Sequence, residues 1–474
     1  LRAVSTWVGV ALMLVSLLSS AHVILHKRDS RAAIGWVGLI WLAPGVGAVL
    51  YTILGVNRIR RRAIALGRAR RRALSPVEPR DVAAETAARD GAGLAHLARL
   101  GDAVSGRQLL AGNRVTPLTD GDEAYPAMLD AIEQASTSVT LSSFIFAADS
   151  IGRRFVDALA RAVRRGVAVR VLVDDAGVRY GRPPIHRVLR RAGVRAARFL
   201  PMTSGRGLAF FNLRNHRKIL VADGRVGFSG GMNIRDLHLV GARMPNATRD
   251  VQFKIEGPVV RQLQEVFAED WAFVTREVLD GPAWYPALEP VGPTRARVLS
   301  DGPDDDFEVV RTVLLGALAA ARESVAIVTP YFLPDQSMIA ALAVTALRGV
   351  RVDVVLPERG NITLVRWATP ALLWQVLGPG CRVFLSPPPF DHAKLFVVDR
   401  SWVLLGSTNW DPRSLRLNFE LDVECHDPAF AARVDELVAQ RRRVSREITL
   451  RDVDARPLAV RLRDGVARLL SPYL

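Results

Sequence analysis

The sequence is poor in the residue types that most often define a protein's chemistry. Its 474 residues include only two cysteines, Cys381 and Cys425, and eight histidines. Two cysteines make no disulfide framework, which suits a reducing compartment. No cluster of Cys or His has the spacing of metal ligands, so neither a metal nor a cofactor is expected. Lysine is scarcer still: Lys27, Lys218, Lys254 and Lys394 stand against 60 arginines. Acids are also in deficit, with 47 Asp and Glu against 64 Lys and Arg, a net charge of +17. A hydrophobic share of 49% excludes a disordered chain.

Charge is missing altogether from Ala3 to His26 and again from Ala32 to Asn57. Each run exceeds the roughly 20 residues needed to cross a bilayer, so residues 1–57 read as a two-helix transmembrane hairpin. Pro44 and Gly45 should kink its second helix. A cleaved signal peptide, with Ser19 and Ala21 near the cleavage point, is the alternative for the first run. That run outlasts a signal core of about 7 to 15 residues, and a second span follows at once. Leu1 is an unusual first residue, so a start upstream or at an alternative codon is expected. Eight arginines and no acid lie between Arg58 and Arg72, which puts the following body on the cytoplasmic side. Residues 58–118 therefore read as a basic juxtamembrane segment, clamped on anionic lipid, and a linker. Residues 1–75 carry a net +11, leaving +6 for the remaining 399. That is too little for a nucleic-acid footprint, and no nucleic-acid partner is expected.

The rest is one unit written twice. Helical patterns at 124–135 and 151–165 alternate with apolar strand patterns at 138–146 and 167–173; the order recurs at 309–322, 324–329, 337–348 and 350–356. Both second helices end in Arg-Gly-Val, at 165–167 and 348–350, where Gly is suited to a C-cap. The alternation predicts an α/β fold of two pseudo-symmetric halves with mostly parallel sheets, spanning 119–290 and 291–474, the second with a C-terminal helical tail.

Two motifs sharpen the duplication. His216, Lys218 and Asp223 are followed by Gly230 and Asn233; His392, Lys394 and Asp399 are followed by Gly406 and Asn409. All five matched pairs are offset by 176 residues. One HxKxxxxD is a weak signal, but two in register are not chance. Half of the lysines lie in these motifs, so these places require an ammonium rather than a guanidinium. On a strand, HxK sends both side chains to one face. If the halves pack about a pseudo-twofold axis, both pairs meet in one cleft. Imidazole can act as nucleophile or proton carrier near neutral pH, and two compact cations can hold the non-bridging oxygens of a phosphoryl group. Such a set fits displacement at a phosphodiester without a metal.

The two HxKxxxxD motifs resemble the phospholipase D superfamily. Asn215 to Ile219, Ser229 to Ile234, Arg249 with Asp250, Thr329 to Phe332, Arg366 with Trp367, Gly406 to Asn409, Arg413 to Leu415 and Asn418 to Glu420 are similar to its bacterial cardiolipin synthase branch. Gly35, Trp36 and Ala43 to Gly45 resemble that branch's membrane segment, so the likeness covers essentially the whole chain. It implies that His216 is the nucleophile and His392 the acid that protonates the departing glycerol oxygen. Lys218, Lys394, Asn233 and Asn409 would bind the phosphoryl oxygens. Asp223 and Asp399 complete the catalytic motifs in a supporting rather than a direct role, and Asp250 and Glu420 would orient the histidines. The expected location is the bacterial inner membrane, with several passes. Ser142 and Ser143, where the family has an acid and an aromatic, and the loop Pro387 to Asp391 depart from the pattern and are expected to affect the cleft rim.

The implied activity is a phosphatidyl transfer between two phosphatidylglycerols, giving cardiolipin and glycerol, with phosphatidylglycerol and anionic lipids as partners. A hydrolase that accepts water would use the same residues and is the alternative. The sequence supports no expectation about oligomeric state.

Overall fold

Runs of β-branched residues and leucine, bounded by charged or glycine-containing turns, form the strands, and the intervening helices each turn an apolar face inward. A computed structural model describes residues 2–27, 30–55, 92–201, 213–302 and 308–471. Fifteen of its strands form one sheet. At the centre, Leu110–Thr119 pairs antiparallel with Thr294–Asp301. Outward from Leu110–Thr119 lie Val251–Glu256, Val226–Gly230, Ile219–Ala222, Ser138–Ser143, Ala168–Asp174 and Ala196–Phe199. Outward from Thr294–Asp301 lie Glu420–His426, Trp402–Gly406, Leu395–Val398, Ser324–Val328, Arg351–Pro357 and Arg382–Ser386, with Arg446–Ile448 at the edge.

The sheet is mixed, which corrects the expectation of mostly parallel sheets. Only four of the fourteen neighbouring pairs are parallel: two join the strands read from the sequence, and two add Ala196–Phe199 and Arg382–Ser386 outside them. The other strands come from hairpins, above all Ile219–Ala222 with Val226–Gly230 and Leu395–Val398 with Trp402–Gly406. Each connecting turn begins at the motif aspartate, with φ of 52° at Asp223 and 50° at Asp399. The motif itself therefore encodes an antiparallel hairpin.

Asp120–Gln134 and Ser150–Arg164 pack with Phe155, Leu159 and Val171 in one core, and Val309–Ala320 and Gln336–Leu347 pack with Val354 and Trp402 in another. A third core under Val260–Thr275 and Pro428–Arg443 draws Phe253, Phe267 and Trp271 from the first half and Phe419 and Phe430 from the second. Gly166 (φ 89°) and Gly349 (φ 86°) supply the left-handed residue after their helices, as the repeated Arg-Gly-Val requires.

Within the segment expected as juxtamembrane and linker, Ala92–Ser105 is a helix and Leu110–Thr119 is a central strand of the sheet. Its arginine cluster, Arg58 to Arg72, lies outside the described residues. At the N-terminus, Thr6–His26 is the one helix among the described residues long and apolar enough to cross a membrane. A second helix, Ser30–Leu42, stops at Ala43 to Gly45 and resumes as Val46–Leu50, with Gly45 at φ 81°. Trp41 Nε1 donates to Ser20 Oγ at 3.1 Å, tying the two helices together.

Candidate active site

Each motif histidine precedes a central strand of its half, and its backbone reaches across to the other half. The N–H of His216 donates to Phe419 O at 2.9 Å and that of His392 to Arg249 O at 2.8 Å. These crossings bring each histidine beside the acid that follows. His216 Nδ1 lies 2.9 and 3.0 Å from the two carboxylate oxygens of Glu420, and His392 Nδ1 lies 2.8 Å from Asp250 Oδ2. A carboxylate at Nδ1 favours the proton there and leaves Nε2 as the nitrogen available for chemistry. Because each pair takes one residue from each half, the site exists only when the halves are docked.

Both lysines are buried, and each Nζ donates to the carbonyl of its own motif histidine at 2.5 Å. Burial pulls Lys218 down to about 7 and Lys394 down to about 8, with mutual repulsion adding to the fall at Lys218 and nearby carboxylates opposing both. His216 is lowered by burial, held up in part by Glu420, and lowered again by Lys218 and Lys394. His392 is pushed well below the ordinary imidazole range by burial, then by Lys394, Lys218 and His216. Two imidazoles and two ammoniums that act on one another in this way form one electropositive site, ready for an anion.

Asn233 and Asn409 are buried in the loops after the hairpins. Asn233 Oδ1 accepts the N–H of Ile145 at 3.0 Å, which leaves its amide N–H groups available, while Asn409 Nδ2 donates to Ser414 Oγ at 3.1 Å. Asp223 and Asp399 do something else. Asp223 accepts the backbone N–H groups of Ser136, Thr137 and Ser138 at 2.8 to 3.1 Å, and Asp399 those of Arg322, Glu323 and Ser324 at 2.8 to 2.9 Å. Their carboxylates fasten the hairpin to the start of the adjacent strand. Ser142 and Ser143 are buried strand residues rather than rim residues, and Ser143 Oγ donates to Ile145 O at 2.8 Å.

Sequence reasoning missed several partners. Ser407 Oγ donates to Glu420 Oε2 at 2.5 Å and Asn418 Nδ2 to Glu420 Oε1 at 3.0 Å. Asp174, raised to about 6 by burial, accepts the N–H of Asn215 at 2.8 Å. Phe144 places its ring edge-on to His216 at 5.2 Å, and Tyr331 does the same at His392 at 6.2 Å. Ser407 and Asn418 lie within motifs that were legible; Asp174 could have been suspected as a carboxylate closing an apolar strand.

Among solved structures, the phosphatidylserine synthase of Haemophilus influenzae superposes with a TM-score of 0.61 over 80% of this chain and all of that one, at 15% identity, a likeness of fold. The α/β fold of the body is thus a known one. The family model described as cardiolipin synthase, PLD-like domain, matches residues 128–271 and 314–442, and the chain belongs to that family. Cardiolipin synthase A of Pseudomonas fluorescens is 34% identical over 96% of both chains, and the major cardiolipin synthase ClsA of Bacillus subtilis 29% identical over 97% of both.

Proposed function

We propose a two-step course for a chain whose family makes it a phosphatidyltransferase that forms cardiolipin. His216 Nε2 attacks the phosphorus of one phosphatidylglycerol. The P–N bond forms, the bond to the head-group glycerol oxygen breaks, and His392 gives that oxygen its proton. His392 then takes the proton from a hydroxyl of a second phosphatidylglycerol, whose oxygen attacks phosphorus and displaces His216. One cardiolipin and one glycerol result from two phosphatidylglycerols. The anionic diester raises the proton affinity of His392 and both lysines as it binds, so groups weakly basic in the empty site are charged when needed. Lys218, Lys394, Asn233 and Asn409 hold the non-bridging oxygens. Glu420 and Asp250 are positioning residues, as are Asp223 and Asp399 at one remove.

The observation that carries this reading is the crossed pair of histidine–carboxylate contacts between two buried ammoniums. It is tested by incubating membranes bearing the chain with labelled phosphatidylglycerol. Cardiolipin should form with glycerol release; phosphatidic acid as the sole lipid product would make the enzyme a hydrolase.

We further read the halves as a pseudo-twofold pair, since seven strands follow one order on each side of the sheet's centre. Residues 1–57 fit a membrane hairpin, 58–91 a basic juxtamembrane segment, 110–290 the first half and 291–474 the second. The arginines from Arg58 to Arg72 support a body on the cytoplasmic side of the bacterial inner membrane. The chain's basicity is concentrated beside the membrane segment, which favours anionic lipid over nucleic acid as its partner.

A further inference from the structure

The C-terminal helix Leu458–Leu469 buries Asp464 and Ala467 against the protein and turns an apolar stripe outward. Leu458, Leu462, Val466 and Leu469, spaced to share one face, are 61 to 72% exposed. The opposite face is pinned by the buried Asp464, which accepts from Arg456 at 2.6 Å and Arg463 at 2.7 Å, while Arg463 stacks over Trp367 at 4.8 Å. Single exposed apolar residues need no explanation, but four in a stripe on a helix that is held down do. Arg461 and Arg468 border the stripe on the same helix.

Arg456, which holds Asp464 of this helix, also lines a cavity of about 350 Å³. Its walls are largely apolar, with Phe332, Leu356, Val365 and Ile448 among them, and Arg366, Arg446 and Arg456 supply its cationic side chains. Its inner wall includes Tyr331, whose ring stands edge-on to His392. Ile362, also exposed, lines it as well, and Leu450 and Leu364 are exposed on the adjoining turns.

We propose that the helix Leu458–Leu469 is an in-plane membrane contact, separate from the N-terminal apolar helix, which seats the cavity on an anionic bilayer so that an acyl chain of the substrate lipid enters it beside Tyr331. This rests on the phosphatidyl-transfer reading for the identity of the substrate, but the membrane contact is measurable without turnover. An anionic lipid surface accounts for the apolar stripe, the flanking arginines and the apolar cavity next to them, reached through Arg456, together; a second copy of the chain accounts for the stripe alone.

The full-length chain is labelled with an environment-sensitive fluorophore at Leu462→Cys or Val466→Cys, the native Cys381 and Cys425 being buried, and placed in nanodiscs containing phosphatidylglycerol. Nitroxide-bearing lipid should roughly halve the emission, because the apolar face of an interfacial helix sits about 5 to 10 Å into the head-group boundary. Quenching by aqueous iodide in its place, or by neither reagent as in a contact between copies, overturns the membrane contact. Gly360 lines the cavity, and a Cβ added there would meet nothing closer than Arg366 Cβ at 3.8 Å, so Gly360→Trp should narrow the cavity without disturbing the core. Its KM for dioleoyl phosphatidylglycerol should rise roughly ten-fold, the effect of about two unburied methylenes, with that for the dihexanoyl lipid unchanged. Equal effects on both lipids, or none on either, overturn the acyl-chain site. Absence of turnover with either lipid in the parent chain, with nitroxide quenching present, would count against the catalytic reading instead.

Discussion

At Glu420 the carboxylate takes, besides His216, the hydroxyl of Ser407 at 2.5 Å and the amide of Asn418 at 3.0 Å. At Asp250 the donors among the described residues are His392 and the backbone N–H of Val251, at 2.8 Å each. Burial pushes both acids up, but at Glu420 the charge and hydrogen bond of His216, Lys218 and the Ser407 hydroxyl outweigh it and the carboxyl stays below its ordinary value. At Asp250 burial wins and the carboxyl rises to about 6. Chain positions explain the difference. Gly231 stands where the second half has Ser407, and a Cβ there would meet Asp250 Oδ1 at 2.6 Å; Thr248 stands where the second half has Asn418. A permanently ionised partner stabilises the cation formed when imidazole nitrogen bonds to phosphorus. A partner that titrates near neutrality suits a histidine that gives up and regains a proton. On the proposed course, the same scaffold thus supports a nucleophile at His216 on one side and an acid–base at His392 on the other.

The strongest way to break this comparison is to remove the histidines one at a time. His216→Ala should lose activity on the order of 10⁶-fold, the scale for a missing nucleophile, and trap no intermediate. His392→Ala should still react with a nitrophenyl phosphodiester, whose leaving group needs little protonation, and accumulate an acid-labile phosphoryl-enzyme that peptide mass spectrometry places on His216. Label on His392 would reverse the assignment.

The carboxylates come next. Glu420→Gln should lower kcat by about 10² to 10⁴-fold, by analogy with a neutralised partner of a catalytic imidazole. Asp250→Asn should cost less near neutral pH and change the pH profile. In the free enzyme Asp250 must be ionised to orient His392, so kcat/KM should fall as pH drops through about 6. Anion binding needs charged lysines, so it should fall again as pH rises through about 7 to 8. Asp120, which accepts the N–H of Asp250 at 2.9 Å, is also raised to about 6 by burial. An acid limb that stays at 6 in Asp250→Asn would therefore transfer that limb to Asp120 and remove the proposed asymmetry.

Lys218→Arg probes the electropositive floor common to both sides. Lys218 Nζ sits between the backbone carbonyl of His216 at 2.5 Å and the Phe144 ring at 5.7 Å, a space shaped for a compact cation. A planar fork should cost about 2 to 4 kcal/mol of transition-state stabilisation. Turnover near that of the parent enzyme would show that charge alone suffices there.

Much of this was legible in the sequence because periodicity and motif spacing report local structure. The strand–helix–strand segments, the 176-residue offset and the motif residues needed no tertiary information. The antiparallel majority of the sheet escaped because the turns at Asp223 and Asp399, which make hairpins, were not read from the motifs. The crossed pairing of His216 with Glu420 and His392 with Asp250 depends on how the halves dock, for which neither strand carries a local signal. The unequal support of the two acids was in plain view, as Gly231 against Ser407, but it acquires meaning only once both are seen beside a carboxylate.

Ser407 therefore offers the finest test of the comparison. Ser407→Ala removes one donor from Glu420 and little volume, leaving the His216 and Asn418 contacts in place. The loss of one hydrogen bond to a charged group should cost about 1.5 to 3 kcal/mol of carboxylate stabilisation, only part of which reaches the transition state. A fall in kcat of roughly ten-fold is expected, with KM nearly unchanged, since the donor acts on the histidine rather than on the lipid. The sign on pH is fixed. With less to offset burial, Glu420 rises toward Asp250, so activity should begin to fall at a higher pH on acidification than in the parent enzyme. If Ser407→Ala leaves both the rate and the acid limb where they were, the hydroxyl does not distinguish the two sides, and the difference must be sought in Asn418, which Asn418→Thr would test by giving the second half the residue of the first.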